Sequence, residues 1–139
     1  MTEAISEIDI AVSADQAWEL LGGFDNLSLW IPMIAQSVLQ NGGRVRSLTT
    51  ADGSHIVERL LTFNEEQRTY TYAYVEGPDP VQDYRGKVAV TAVSDNQCRA
   101  SWSSQFNPIG LSDAEAGERY RSAYASALLH AKNLLEHKA

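Results

Sequence analysis

Apolar residues alternate at period two through most of this chain and change to a helical period only at its end. Residues 3–12 place Ile8, Ile10 and Val12 on one face and Glu7 and Asp9 on the other, the pattern of a half-buried strand. Ser13 with Gln16 reads as a capping box opening a short helix with Ala17, Trp18, Leu20 and Leu21 as its apolar residues, ended by Gly22 and Gly23. Asn26 reads as the cap of a second short helix through Leu27 and Trp30, which Pro32 stops. Strands then follow one another. Residues 34–39 form one, closed by Asn41, Gly42 and Gly43, and residues 44–51 the next.

Asp52 and Gly53 have the composition of a two-residue type I′ hairpin turn. Pairing outward from it predicts Thr49 opposite Ile56, Ser47 opposite Glu58 and Val45 opposite Leu60 on one face, with Arg46 against Arg59 on the other. Residues 68–76 carry Tyr70, Tyr72 and Tyr74 in phase, and a dry sheet face suits three tyrosines better than the intervening threonines. For these tyrosines to share a face with Glu58 the connection must be odd, so a three-residue loop is predicted within residues 64–67. Residues 82–93 bring Tyr84, Gly86, Val88 and Val90 into phase, and Asp95 and Asn96 turn the chain into a last strand, 97–106.

Residues 112–136 close the chain as one amphipathic helix, with Ser112 and Glu115 as its capping box. Ala116, Tyr120, Ala123, Tyr124, Ala127, Leu128, Ala131, Leu134 and Leu135 fall in one stripe of about 140°. The order is strand, two short helices, six strands, long helix. It predicts an α+β domain spanning residues 1–139, with a seven-stranded antiparallel sheet covered on one face by the terminal helix.

Composition narrows the partners. A formal charge of −7 opposes nucleic acid and anionic membrane surfaces. No apolar run reaches the ~18 residues of a membrane span, and the N-terminus carries acids where a signal peptide carries lysines, so the expected location is the cytoplasm. Cys98 is the one cysteine and has no internal disulfide partner; His55, His130 and His137 show no metal-ligand spacing. No metal and no cofactor is expected.

The segments 12–21 (VSADQAWELL), 27–32 (LSLWIP), 53–61 (GSHIVERLL), 75–84 (VEGPDPVQDY) and 101–108 (SWSSQFNP), in this order of elements, resemble the START-like superfamily. Within it the chain is most similar to the bacterial polyketide cyclase/dehydrase, or SRPBCC, type. The resemblance implies a Bet v 1-like helix-grip fold: a curved seven-stranded sheet wrapped around the C-terminal helix. It is specific for fold and poor for function, since the superfamily includes cyclases, hydrolases and lipid carriers. Plant abscisic acid receptors are more distantly similar. Their pocket glutamate in an ERL stretch falls on Glu58, their pocket tyrosine on Tyr84, two apolar pocket positions on Tyr72 and Tyr74, their gate on 49–53 and their latch on 79–81. Here the gate has no proline, the latch reads Asp-Pro-Val, and the lysine that grips the hormone carboxylate falls on Ala35. The bacterial relatives often have histidine where this chain has Ile31, which removes one acid/base group.

Glu58 is the sharpest candidate. A carboxylate facing an apolar cavity costs several kcal/mol unless paired, hydrated or protonated, and Ser47, Tyr72 and Tyr84 are its expected donors. The competing reading is a structural carboxylate pinning the sheet. Tyr72, Tyr74, Tyr84, Tyr120 and Tyr124 are expected to line a cavity between sheet and helix, because five buried hydroxyls need partners; the competing reading is ordinary aromatic core. Ile56 and Leu60 share the face of Glu58, Trp30 is expected at the cavity mouth, and Trp18 in the core. Cys98 and residues 101–104 have no base at a recognisable spacing, and His55 sits beside a turn, so nucleophilic catalysis is not indicated.

The reading these residues favour is binding of a small hydrophobic, aromatic or polyketide-like molecule oriented by Glu58 and the tyrosine hydroxyls. Two others compete: a cyclase or dehydratase with Glu58 as acid/base and a tyrosine polarising a carbonyl, and a non-catalytic interaction protein with an incidental cavity. The chain is expected as a monomer or as a homodimer paired through an exposed edge strand.

Overall fold

The computed structural model describes residues 1–137. The chain runs through β1 (Thr2–Ile10), α1 (Ala14–Leu21), α2 (Leu27–Trp30), β2 (Ile34–Gln40), β3 (Val45–Thr50), β4 (His55–Asn64), β5 (Thr69–Glu76), β6 (Val81–Ser94), β7 (Gln97–Pro108) and α3 (Asp113–Glu136). All strand pairs are antiparallel, in the order β1-β7-β6-β5-β4-β3-β2. This is the α+β helix-grip arrangement.

The caps behave as their chemistry requires, with one exception. Ser13 and Gln16 form the reciprocal capping box of α1, and the Ser112 side chain accepts the Glu115 N–H at the start of α3. Asn26 makes no cap bond to α2. Its Nδ2 instead donates to the carbonyls of Glu19 and Leu20, at 3.2 and 3.1 Å, satisfying groups that the end of α1 leaves free.

The sheet is curled by bulges, each of which adds a residue to one strand and bends it. They fall at Ala35 in β2, Leu61 in β4, Val75 in β5, between Gln82 and Arg85 in β6, and between Ala92 and Ser94 near its end. The Leu61 bulge corrects the predicted loop. Asn64 pairs with Thr69 across four residues, an even connection, and the bulge restores the phase so that Leu60 meets Tyr72 and Glu58 meets Tyr74.

α3 runs along β1 and β7 and is tied to β1 at both ends. Thr2 Oγ1 donates to Asp113 at its start; at its end Lys132 Nζ donates to the Asp9 carbonyl at 2.9 Å and Glu136 accepts the Ala11 N–H at 2.7 Å. Under its C-terminal half the core is closed by Ile10, Leu21, Val90, Ala100, Leu128 and Ala131, all fully buried. Near its end one position departs from the predicted stripe: Leu134 is exposed, while Leu135 packs half-buried against the core. Over its N-terminal half the curled sheet leaves α3, and a hollow opens.

Candidate functional site

The residues that meet in this hollow are chosen by register. The hairpin between β3 and β4 turns through three residues rather than two: Gly53 N–H bonds Thr50 O and Thr50 N–H bonds Ser54 O, at 3.0 and 2.9 Å. Gly53 takes the positive φ, +89°, that such a loop needs, and Asp52 Oδ1 accepts the Ser54 N–H. The extra residue moves every β3 pairing by one, so Arg46 stands opposite Glu58, Leu48 opposite Ile56 and Thr49 opposite His55. A one-residue slip exchanges faces. Ser47 and Val45 therefore point to the outer face, and Arg46, Leu48 and Thr50 point in and are buried.

Arg46 is the partner of Glu58. Its Nε and Nη2 lie 2.9 and 2.7 Å from Glu58 Oε1, and its Nη1 donates to the Phe24 carbonyl at 2.8 Å and to Tyr70 Oη at 3.2 Å. The guanidinium rests between the rings of Phe24 and Tyr72, 4.3 and 4.7 Å from their centroids. Arg46 is fully enclosed, its side chain 1% exposed against 9% for Glu58. Burial pushes the Glu58 carboxyl above its ordinary range; Arg46 pulls it back without reversing the shift. Among the described residues no protein donor reaches Oε2.

Beside this pair the aromatic hydroxyls satisfy one another. An indole N–H can only donate, so the chain begins at Trp102 Nε1, which donates to Tyr72 Oη at 2.8 Å. Tyr72 and Tyr84 share a hydrogen bond of 3.1 Å, Tyr84 shares one with Tyr124, and Tyr124 donates to Ser104 Oγ at 2.7 Å. Trp102 stacks on Tyr124 at 4.1 Å. Gly86 makes room for this chain, because a Cβ there would lie 2.2 Å from the Tyr72 ring. Burial raises all of these phenols above their ordinary pKa, so they stay protonated. Tyr74 Oη accepts the Asp79 N–H at 3.0 Å and pins the β5–β6 loop. The hydroxyl of Tyr120 is buried without a partner.

The hollow has a volume of about 500 Å³. Its sheet wall is Leu48, Ile56, Glu58, Tyr72, Tyr84 and Trp102; its helix wall is Tyr120, Ala123, Tyr124 and Ala127. Leu27 and Ile31 close it from the α2 side. Asp52 and Ser54 of one loop, Pro78 and Asp79 of another, and Arg119 of α3 stand at the rim. A second hollow of about 420 Å³ lies on the outer face of the sheet, where Glu3, Arg85, Lys87 and Gln105 give it a solvated, non-aromatic lining.

Of the residues singled out in the sequence, Ile56, Glu58, Tyr72, Tyr74, Tyr84, Tyr120 and Tyr124 surround the hollow. Three stand elsewhere. Ser47 is on the outer face through the register shift. Leu60 is half-buried against the core beside the Leu61 bulge. Trp30 is fully buried behind the wall, edge-on to Trp102 at 5.5 Å, rather than at the mouth. Trp18 packs in the core with Nε1 bonded to Glu65. Sequence reasoning missed Arg46 and Trp102. The like-charged Arg46–Arg59 pairing that a two-residue turn imposes was the available signal for the first, and the phase of Trp102 with Ala100 and Phe106 for the second.

The sequence profile of the family described as "Polyketide cyclase / dehydrase and lipid transport" matches residues 1–136. The chain belongs to this family. Among solved structures, this polyketide cyclase/dehydrase-family chain is 36% identical to the protein XoxI from Bacillus cereus, covering 97% of this chain and 96% of that one, with a TM-score of 0.94. It is also 36% identical to a putative uncharacterized protein from Bacillus thuringiensis, covering 98% and 97%, at a TM-score of 0.91. The Zhui aromatase/cyclase from Streptomyces sp. R1128 shares the fold at 14% identity, covering 98% and 92%, with a TM-score of 0.76. No functionally curated protein matches the chain. Among the described residues no helix is long and apolar enough to cross a membrane, and no cluster of three or more His, Cys, Asp or Glu is arranged to hold a metal ion.

Proposed function

We propose that this protein binds one small, largely apolar aromatic molecule in the hollow between its sheet and α3, with Glu58 setting the molecule's orientation. The observation that carries the reading is the lining. A space of about 500 Å³ falls within the range of small-molecule sites, and its walls are aliphatic and aromatic around a single interior carboxylate. An ordinary core would fill such a space, since interiors pack without voids larger than a water molecule.

Binding is favoured over turnover by the state of the polar groups. Glu58 is already engaged by Arg46, and Tyr72, Tyr84 and Tyr124 are committed to their own chain and held protonated by burial. A cyclase or dehydratase would need Glu58 to exchange a proton with substrate; burial favours its protonation, but the Arg46 ion pair opposes it and occupies Oε1. Native mass spectrometry of the protein from cells, followed by a thermal-shift screen of aromatic compounds, tests the reading. The expected result is a one-to-one adduct and a raised melting temperature, about 2.7 kcal/mol of stabilisation at a ligand concentration 100 times Kd. A saturating screen that shifts nothing, with no adduct, would sink it.

A further inference from the structure

The two charges of the buried ion pair are not equally available to an occupant. Arg46 lies wholly behind Glu58, with Nε and Nη2 on Glu58 Oε1, Nη1 on the Phe24 carbonyl and Tyr70, and aromatic rings over its faces. Glu58 borders the hollow and Arg46 does not. The neighbouring hydroxyls offer little competition, because Tyr72, Tyr84 and Tyr124 bond among themselves and to Trp102 and Ser104. The sheet wall thus presents one unused carboxylate acceptor, Glu58 Oε2, and no reachable cation, while the unpartnered hydroxyl of Tyr120 stands on the helix wall.

We infer that the occupant carries a neutral hydroxyl at its inner end, donated to Glu58 Oε2, and that the cavity discriminates against carboxylates and ammonium ions at that position. The inference rests on the cavity reading above and adds the polarity of the ligand. A carboxylate brought to the inner wall meets Glu58 and has no counter-charge to reach; Asp79 at the rim adds to the repulsion, and Arg119 is at the rim as well rather than at depth. An ammonium meets a carboxylate whose charge Arg46 already balances at 2.7 Å, so it leaves a surplus positive charge in a poorly hydrated interior. A hydroxyl makes a charge-assisted hydrogen bond and brings no net charge.

Four probes of one size separate these cases at pH 7: 2-naphthol, 2-methoxynaphthalene, 2-naphthoate and 2-naphthylmethylammonium, titrated by calorimetry. The expected order puts 2-naphthol first, about tenfold (~1.4 kcal/mol) tighter than 2-methoxynaphthalene, with both ions weaker than the ether. The same preference should vanish in the paired variant Arg46→Met with Glu58→Leu, which leaves neither an acceptor at that position nor a lone buried charge. If the ether binds as tightly as the naphthol, or either ion binds best, the inference falls while the cavity reading stands. A tenfold preference that survives in the paired variant assigns the hydroxyl to another group and also overturns it. If none of the four binds, the cavity reading fails and takes the inference with it.

Discussion

Arg46 and Glu58 stabilise the fold only together. Removing one member of a buried ion pair leaves an uncompensated charge, whereas replacing both by apolar groups is often neutral or better. Arg46→Met alone is expected to lower unfolding stability by about 3–5 kcal/mol, and Arg46→Met combined with Glu58→Leu to recover most of that loss. Urea denaturation of the singles and the double closes the cycle, and additive losses would contradict the account. Glu58 and the tyrosines at 72, 74 and 84 were legible because period-two alternation survives whatever the neighbouring strands do. Arg46 was not, because its face depends on a turn one residue longer than its Asp-Gly sequence suggests. The family likeness named the fold and pointed to Glu58, but the partner of that glutamate came only from register.

Elements depend on similarly small differences. Gly86 lies under the Tyr72 ring, and Gly86→Ala forces that ring aside; overpacking of this kind costs about 1–3 kcal/mol. Gly117 is the contrasting glycine. It sits inside α3 with the nearest atom to an added Cβ at 3.5 Å, an ordinary contact, so Gly117→Ala should gain up to about 1 kcal/mol of helix propensity. Chemical denaturation of the two alanine variants should move in opposite directions; a stable Gly86→Ala would mean that Tyr72 has another place to go. Every element was readable in the sequence to within a few residues, since each is long or capped. The bulges were not. Nothing in Leu60, Leu61 and Thr62 announces that one of them is extra, and the phase that an odd loop would give is set instead by the Leu61 bulge.

For the molecule as a whole the buried tyrosines dominate the response to alkali. Tyr72, Tyr74, Tyr84, Tyr120 and Tyr124 all have pKa values raised in the fold, first of all by burial. The unfolded chain releases those protons near pH 10 and the folded chain does not, so this stability is intact below pH 10 and is lost as pH rises above it. Each of the buried phenols of Tyr72, Tyr84 and Tyr124 contributes about 1.4 kcal/mol per pH unit to the slope, and the half-exposed Tyr74 and Tyr120 contribute less. The urea midpoint should fall steeply above pH 10, with tyrosinate absorbance appearing only as the chain unfolds; tyrosinate forming ahead of unfolding would show the hydroxyls to be accessible. The antiparallel sheet, the long covering helix and the aromatic space between them could be anticipated from sequence. A cavity was expected there, but its size could not be read, because it depends on how far the sheet curls from α3. At the opposite end of the sheet β2 stands as an open edge, with Val38 and Leu39 exposed. Its sequence, IAQSVLQ, has none of the lysines or prolines that blunt such edges, and only the Ala35 bulge interrupts it. Two copies that meet along this edge each carry a charge of −7, and the repulsion between them reaches only about 8 Å at physiological ionic strength. Self-association through this uncharged strand is therefore expected to rise with salt, which light scattering across a sodium chloride series checks; scattering that does not change with salt would contradict it.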